Sequence, residues 1–329
     1  MHHAKAARRV KVAALLGCGL LAACGSLRGE VRHTPDEPRT EREEAAAREL
    51  AAPGCSPVLE GMIPGMRQLC EGKPAEGAVL LGLATAELTT GVLVAVKHDI
   101  TYPGAGLPLL ALSDLILLQS FDSAIEIQRA RGLTLVPRDS LAERALAPFN
   151  PRVLAQPDVA LGIVGTFAAG LLVSALTDGL SPPFRGKPRL FGTEFAPGPG
   201  YATAGVIGIG LFEHVALAEE TTFRGFFQSG FARHNGEDLG WVYGSLLFGA
   251  AHAPNALFMD SGQRLRYLLV GVPFITLLGS YLGLSYRWHD YSLQAPVAIH
   301  FWYDLLISAA SFAMDPQNNQ LSGSITIPF

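Results

Sequence analysis

Long apolar stretches recur along the chain from residue 77 to residue 314, and they constrain the fold more than any other feature. Most come close to the roughly 20 residues that a helix needs to cross the hydrocarbon core of a bilayer. Lipid offers the backbone no hydrogen-bond partner, so a crossing segment must satisfy its own amides, as a helix does. The sequence therefore predicts an all-α fold, a polytopic transmembrane helical bundle of about seven spans. The predicted spans are Gly77–Val96, Gly104–Ile125, Asp158–Thr177, Tyr201–Ala218, Leu239–His252, Leu265–Leu284 and Leu293–Met314.

The composition agrees with a membrane protein and argues against other classes. Charged residues make up 16% of the chain, against about a quarter in typical soluble domains. The formal net charge of -4 provides no basic surface that could hold a phosphate backbone. We therefore expect the lipid bilayer as a partner and no nucleic acid.

The N-terminus, residues 1–24, has the pattern of a signal segment. Basic residues precede an apolar run, Val12–Ala23, that is too short to span a bilayer comfortably. The run ends in Leu-Ala-Ala-Cys, with Cys24 as the cysteine, and so resembles the lipobox of bacterial lipoproteins. That resemblance implies a lipidated Cys24 and a multi-pass protein of the bacterial cell membrane. The alternative is an uncleaved N-terminal anchor in which Cys24 is incidental.

The rest of the chain divides by composition. A polar, partly disordered head precedes the first span, and a connection rich in proline and glycine, which cannot be a regular helix, divides the spans into two groups. Within the head, Cys55 and Cys70 either form a disulfide or remain a pair of free buried thiols. The predicted divisions are the signal or anchor segment (1–24), the head (25–76), N-terminal transmembrane spans (77–177), a surface loop (178–200), a C-terminal transmembrane core (201–314) and a C-terminal tail (315–329).

Three groups of ionisable side chains fall on the C-terminal spans, where each group must pair, line a cavity or take part in chemistry. The groups are EETTFR at 219–224, FGAAH at 248–252 and HFWYD at 300–304. In the first group, Glu220 and Arg224 are four residues apart and can pair on one helix face. Glu219 is then rotated by about 100° and is free to point elsewhere.

Two histidines and a carboxylate in a water-accessible membrane cavity are suited to activating water. Glu219 could accept the proton as a general base while an imidazole orients the water or stabilises the developing oxyanion. The same set, Glu219, His252 and His300, could instead bind a zinc ion that makes its bound water more acidic. The sequence contains no HExxH, GxSxG, P-loop or Rossmann glycine pattern, so the usual zinc-protease helix and a serine nucleophile lack support.

The three motifs, in this order, resemble the EExxxR, FxxxH and HxxxN/D motifs of the CPBP family of intramembrane endopeptidases. That family includes CAAX prenyl proteases and bacteriocin-processing enzymes. The resemblance covers about residues 201–314 and implies an intramembrane peptidase. Because family members are described as metalloproteases, zinc is the cofactor that the resemblance implies, and a metal-free glutamate mechanism is the alternative.

The resemblance also implies roles for individual residues. Glu219 and His252 would activate the attacking water, and His300 with Asp304 would stabilise the oxyanion. Many members carry Asn at the position of Asp304. An ionised Asp would oppose an oxyanion, so Asp304 is better suited to orienting His300 or holding a proton.

Other residues of the motifs are expected to support the site. The resemblance gives Glu220 with Arg224 a structural role, and Phe248 likewise. Glu213 lies seven residues before Glu220 on the same helix face and is expected to join the pair formed by Glu220 and Arg224. Three acids of the first two spans either face a polar groove between those spans or hydrogen-bond helices. These acids are Glu87, Asp114 and Asp122.

The function predicted from these features is endopeptidase activity on a membrane-associated peptide or protein. Prenylated substrates are less expected, because a lipobox implies a bacterial cell. The alternatives are a non-enzymatic membrane scaffold or immunity protein of the same fold, and an ion-coupled transporter that uses the buried carboxylates.

Overall fold

A computed structural model of the chain describes residues 57–98, 103–177, 183–184, 186–190 and 193–317. The signal segment with Cys24, and Cys55 in the head, lie outside the described residues, so what was predicted for them stays a prediction. Cys70 is disulfide-bonded, so the predicted alternative of a free thiol at this position is wrong. Its predicted pairing with Cys55 stays a prediction as well.

The described residues are mostly helical. The α-helices, numbered in chain order, are α1 (Pro57–Met62), α2 (Met66–Cys70), α3 (Pro74–His98), α4 (Pro103–Ala130), α5 (Leu141–Leu146), α6 (Pro151–Leu154), α7 (Pro157–Thr177), α8 (Pro197–Glu220), α9 (Ser229–Asn235), α10 (Glu237–His252), α11 (Ser261–Arg266), α12 (Val272–Trp288) and α13 (Gln294–Met314). Short 3₁₀ segments cover Ala147–Phe149 and Ala253–Phe258, and π-helical segments cover Thr221–Gln228 and Tyr267–Gly271.

Six helical runs within the described residues are long and apolar enough to cross a membrane. They are Pro74–Lys97, Gly106–Ala130, Pro157–Thr177, Pro197–Asn235, Ser261–Trp288 and Gln294–Met314. The predicted fold class, an all-α polytopic transmembrane bundle, is therefore confirmed. The predicted span at 239–252 corresponds to α10, which has 16 residues and is shorter than these six.

The contacts at its two ends show that α10 nevertheless runs from one end of the bundle toward the other. At its start, Glu237 accepts a hydrogen bond of 3.1 Å from the hydroxyl of Tyr291. Nearby along the chain, His289 Nε2 lies 2.8 Å from Asp158 Oδ2, at the beginning of α7. The start of α10 therefore lies at the same end of the bundle as the start of α7.

The long helical run after α10, Ser261–Trp288, has its first turns at the opposite end of the bundle. Arg266, the last residue of α11, donates a 3.0 Å hydrogen bond to the backbone carbonyl of Thr177, where α7 ends. Because α7 is itself one of the six long spans, the two ends of α7 mark the two ends of the bundle. The chain reaches the second end by way of α10 and the 3₁₀ segment after it, which supports seven crossings.

Part of the predicted surface loop at 178–200 forms a small hairpin. Strand β1 (Arg189–Leu190) pairs antiparallel with β2 (Thr193–Glu194), with Arg189 opposite Glu194. The hairpin lies against the end of α13, because the backbone N–H of Arg189 donates to the carbonyl of Pro316 at 2.8 Å. As predicted from its prolines and glycines, the described part of this connection before α8 is not a regular helix.

Helix α13 lies at the centre of the bundle and is buried along most of its length. Its apolar side chains pack with those of α8 and α4 into one cluster, which includes Val297, Phe301, Leu211, Phe212 and Leu118. A histidine and an aspartate of α13, His300 and Asp304, are buried with them. Polar side chains at such depth require partners.

Helix α8 continues without interruption through the π-helical segment into α9, a run of 39 residues from Pro197 to Asn235. The π-helical segment, Thr221–Gln228, begins directly after Glu219 and Glu220. π-Helical turns are rare and frequently occur at functional sites, because they rotate the residues that follow. The first predicted motif therefore coincides with the most irregular part of this helix.

Candidate active site

The three predicted motifs come together between three helices. Glu219 lies near the end of α8, His252 is the last residue of α10, and His300 lies in α13. Glu219 Oε2 is 3.7 Å from His252 Nε2 and 3.9 Å from His300 Nε2. One carboxylate oxygen thus faces the same ring nitrogen of two histidines.

The backbone of α10 fixes the orientation of the His252 ring. Its Nδ1 lies 2.8 Å from the carbonyl oxygen of Phe248, which can only accept a hydrogen bond. Nδ1 therefore carries the proton, and in a neutral ring Nε2 carries the lone pair that faces Glu219. The hydroxyl of Tyr267 donates to the His252 carbonyl at 3.1 Å and secures the end of the helix.

Glu220 is fully buried and joins two of the motifs. Its Oε1 accepts a 2.9 Å hydrogen bond from Arg224 Nη1, so the predicted pair is present. The same oxygen lies 2.7 Å from His300 Nδ1, a contact that the sequence did not predict. Because Glu220 holds Nδ1, only Nε2 of His300 is directed toward Glu219.

Arg224 is buried beneath the site and binds elements on both sides of it. Its Nη2 donates a 2.9 Å hydrogen bond to the carbonyl of Gly279 in α12. Its guanidinium carbon lies 4.1 Å from the centre of the Phe248 ring, a cation–π contact. Phe248 thereby contacts the arginine that holds Glu220, in keeping with its predicted supporting position.

Asp304 lies one helical turn beyond His300 on the same face. Its Oδ2 is 3.4 Å from His300 Nε2. The ring of His300 therefore has a carboxylate beside each nitrogen, Glu220 at Nδ1 and Asp304 at Nε2. This arrangement suits the predicted role of Asp304 in orienting the ring.

The side chains of the site differ in their exposure to solvent, and the difference separates residues suited to reaction from residues that support them. The side chains of Glu219 and His252 are 22% and 17% exposed, whereas that of Glu220 is 0% exposed. Glu219 Oε2 itself is buried and accepts no hydrogen bond from any described residue. An unpaired buried carboxylate oxygen is costly, so this atom is suited to accept a proton or hydrogen bond from water or substrate.

The other buried acids divide among separate partners. Asp122 forms ion pairs with Arg67 and Arg144. Glu87 Oε1 lies 3.2 Å from His214 Nε2. These two acids therefore pair with basic groups from outside the first two spans.

Two further predictions about acids have different outcomes. Asp114 Oδ2 is buried and has no hydrogen-bond partner among the described residues, so the alternatives predicted for Asp114 stay predictions. Glu213 was expected to join Glu220 and Arg224, and that prediction is wrong. Within the described part of the chain it makes no hydrogen bond or ion pair with either, because seven residues of helix place Glu213 about 10 Å along the axis from Glu220.

Sequence reasoning missed two residues that hold the site together. Tyr267 secures the end of α10, and Thr221 accepts a 3.2 Å hydrogen bond from Arg144. Thr221 lies inside the first motif, next to Glu220, and this position could have indicated a residue that supports the site. Nothing local marks Tyr267, because its contact spans 15 residues of sequence.

Two imidazole nitrogens and a carboxylate oxygen are donors that zinc accepts. In the described residues, however, no group of three or more His, Cys, Asp or Glu side chains is arranged so that it could hold a metal ion. Zinc at Glu219, His252 and His300 therefore stays a prediction.

The fold and the site define a class: a multi-pass helical membrane protein with a glutamate and two histidines gathered inside the bundle. A family model described as Rce1-like, type II CAAX prenyl endopeptidase Rce1-like, matches residues 202–306. The matched range holds all three motifs, and the predicted resemblance to the CPBP/CAAX proteases is confirmed for this segment. The match supports a protease at the level of the class. No curated protein and no solved structure matches the chain.

Proposed function

We propose that the protein is an intramembrane endopeptidase that hydrolyses a peptide bond through water activated by Glu219. The observation that carries this proposal is the position of Glu219 Oε2, which faces His252 Nε2 at 3.7 Å and His300 Nε2 at 3.9 Å. These three side chains come from three different helices. The family match over 202–306 supports the choice of reaction class.

Water activation follows from the protonation pattern of His252. In a neutral ring, Nδ1 donates to the Phe248 carbonyl, so Nε2 and the Glu219 carboxylate are both acceptors. One water placed between them donates one O–H to each, which leaves an oxygen lone pair free to attack. As the oxygen bonds to the substrate carbonyl carbon, Glu219 takes the proton as general base.

His300 serves the second half of the reaction. Attack places negative charge on the former carbonyl oxygen, and a protonated His300 donates to that oxygen from Nε2. Glu220 holds the ring at Nδ1. Asp304 lies beside Nε2 before the reaction, and the oxyanion takes its place at that N–H as the charge forms. When the intermediate collapses, the carbon–nitrogen bond breaks and Glu219 gives its proton to the leaving amine. The products are a carboxylic acid, which loses its remaining proton to water, and an amine.

The substrate we favour is a membrane-associated peptide or protein segment without a prenyl group. The matched family is described by prenyl endopeptidase activity, whereas the lipobox-like sequence ending at Cys24 indicates a bacterial cell. A prenylated CAAX peptide is therefore the second substrate to test.

The test is cleavage by the full-length chain reconstituted in lipid vesicles, with a library of membrane-associated peptides that includes prenylated CAAX members. We expect Glu219→Gln and His252→Ala each to lower kcat/KM by about 10²–10⁴-fold, the usual contribution of general-base catalysis. The matched control is Glu213→Gln, a partly buried glutamate of the same helix that does not contact the trio. This control should cleave at the wild-type rate.

Each alternative has its own signature. Cleavage that survives Glu219→Gln contradicts the proposal. A folded wild-type chain that cleaves no library member leaves the scaffold, immunity or transporter functions ahead. Activity that is lost on chelation and restored by zinc would replace the metal-free step by one that uses a metal.

A further inference from the structure

A second group of buried charges lies outside the catalytic trio. Asp122 of α4 binds Arg144 through Oδ1 and Arg67 through Oδ2. The side chains of Asp122 and Arg144 are each only 1% exposed. Burying such charges costs free energy unless each charge has its partner. The two ion pairs therefore restrict the positions of α2, α4 and α5 relative to one another.

Arg144 connects these ion pairs to the candidate site. Its Nη1 donates a 3.2 Å hydrogen bond to the hydroxyl oxygen of Thr221, which is fully buried. Thr221 is the first residue of the π-helical segment and lies two residues after Glu219. The hydrogen bond therefore acts where the helix changes its hydrogen-bonding pattern, directly beside the catalytic carboxylate.

The element that supplies Arg144 is itself fixed. Helix α5 begins with a capping box in which the Ser140 hydroxyl accepts from the Glu143 N–H, and the Glu143 carboxylate accepts from the Ser140 N–H. Hydrogen bonds from the Ser140 backbone and hydroxyl lower the pKa of Glu143, so the box stays formed at neutral pH. Arg144 therefore extends from a short helix with a defined start.

We propose that Thr221 is a positioning residue, which aims Glu219 through its hydrogen bond with Arg144. A π-helical turn needs support because its hydrogen bonds are displaced by one residue from those of an α-helix. When the hydrogen bond from Arg144 fixes Thr221, the last turn of α8 places Glu219 Oε2 opposite His252. The expected effect of Thr221 on catalysis rests on the proposed function. Its expected effect on how closely Glu219 approaches His252 does not.

The sequence offers a matched control one residue along. The hydroxyl of Thr222 is also buried but has no hydrogen-bond partner among the described residues. Thr221→Val and Thr222→Val therefore remove the same group from neighbouring positions, and only the first removes a hydrogen bond. Thr221→Ser keeps the hydroxyl and serves as the rescue variant.

On a peptide that the wild type cleaves, we expect Thr221→Val to lower kcat about tenfold with KM within about twofold, since misplacement of a catalytic group lowers the rate of the chemical step. Thr221→Ser and Thr222→Val should keep the wild-type kcat. Equal activity of Thr221→Val and Thr222→Val, or an equal loss in both, would overturn the proposal.

A second readout measures the geometry without any catalysis. Cysteines placed by Glu219→Cys and His252→Cys are joined by a short bifunctional thiol reagent, at a rate set by how closely the two positions approach. Adding Thr221→Val should slow this rate severalfold, and adding Thr222→Val should leave it unchanged. If Glu219→Gln still cleaves but the rates differ as stated, the proposed function fails and the positioning role stands; unchanged rates refute the positioning role.

Discussion

Two adjacent glutamates in one motif have different environments in the folded chain. Glu219 reaches the partly exposed side of the site, whereas Glu220 is fully buried with Arg224 and His300. A helix rotates by about 100° per residue, so neighbours necessarily face different surroundings. The difference in surroundings suits one carboxylate to chemistry and the other to holding the histidine.

The buried pair should therefore matter for stability in a way that a surface pair does not. We expect Arg224→Met to lower the free energy of unfolding by about 3 kcal/mol, because it leaves Glu220 buried with only His300 as a partner. The measurement is the unfolding of the purified chain in mixed micelles with increasing denaturing detergent.

Arg287→Met is the matched control for this substitution. Arg287 pairs with Asp238, whose side chain is 91% exposed. Surface pairs of this kind contribute about 1 kcal/mol or less. An equal loss of stability in the two variants would show that the Glu220–Arg224 pair is not the buried support described above.

The i,i+4 spacing predicted the pairing of Glu220 with Arg224, because helix periodicity alone brings such residues together. The contact of Glu220 with His300 was not predictable in this way. The two residues are separated by 80 positions, and their approach depends on how α8 and α13 pack.

At the level of elements, the site depends on close contact between α10 and α12. A Cβ added at Gly249 would overlap the hydroxyl of Thr276 and lie 2.9 Å from its Cβ atom. Small residues allow membrane helices to approach in this way. The position of His252, one turn later on α10, therefore follows from this contact.

We expect Gly249→Ala to destabilise the protein by about 1–3 kcal/mol, the usual cost of adding a methyl group to a packed interface. Activity should fall as well, since the substitution displaces the end of α10. Thermal unfolding in detergent and a cleavage assay on the same preparation would measure both effects.

Gly165→Ala is the corresponding control in another membrane helix. A Cβ at Gly165 would meet nothing within 4 Å, so this variant should be as stable as the wild type or slightly more stable. A loss of stability at Gly165 equal to that at Gly249 would indicate a general intolerance of alanine and not a specific contact.

At the scale of the whole molecule, the number of crossings decides which loops share a side of the membrane. The first two described helices, the Arg144 region and the start of α10 lie toward one end of the bundle. Asp122 pairs with Arg67 and Arg144. Asp139, just before α5, accepts hydrogen bonds from Ser292 and Leu293, and neighbouring Tyr291 donates to Glu237 at the start of α10. The β hairpin and the end of α13 lie toward the other end.

A seven-crossing topology predicts that α10 separates two exposed aspartates. We expect Asp238→Cys and Asp260→Cys to react with a membrane-impermeant maleimide from opposite sides of sealed vesicles, because α10 and the following 3₁₀ segment lie between them. The parent chain without an added cysteine gives the background labelling. Labelling of both cysteines from one side would show that α10 does not cross.

The membrane class, most of the spans and the residues of the three motifs could be predicted from the sequence alone. These features are local, because apolar length and helix periodicity are properties of one segment. Only the tertiary structure brought Glu219, His252 and His300 together, excluded Glu213 from the Glu220 pair and joined Arg144 to Thr221. Such contacts depend on which helix faces pack against one another, and packing is decided by the shapes of many side chains at once.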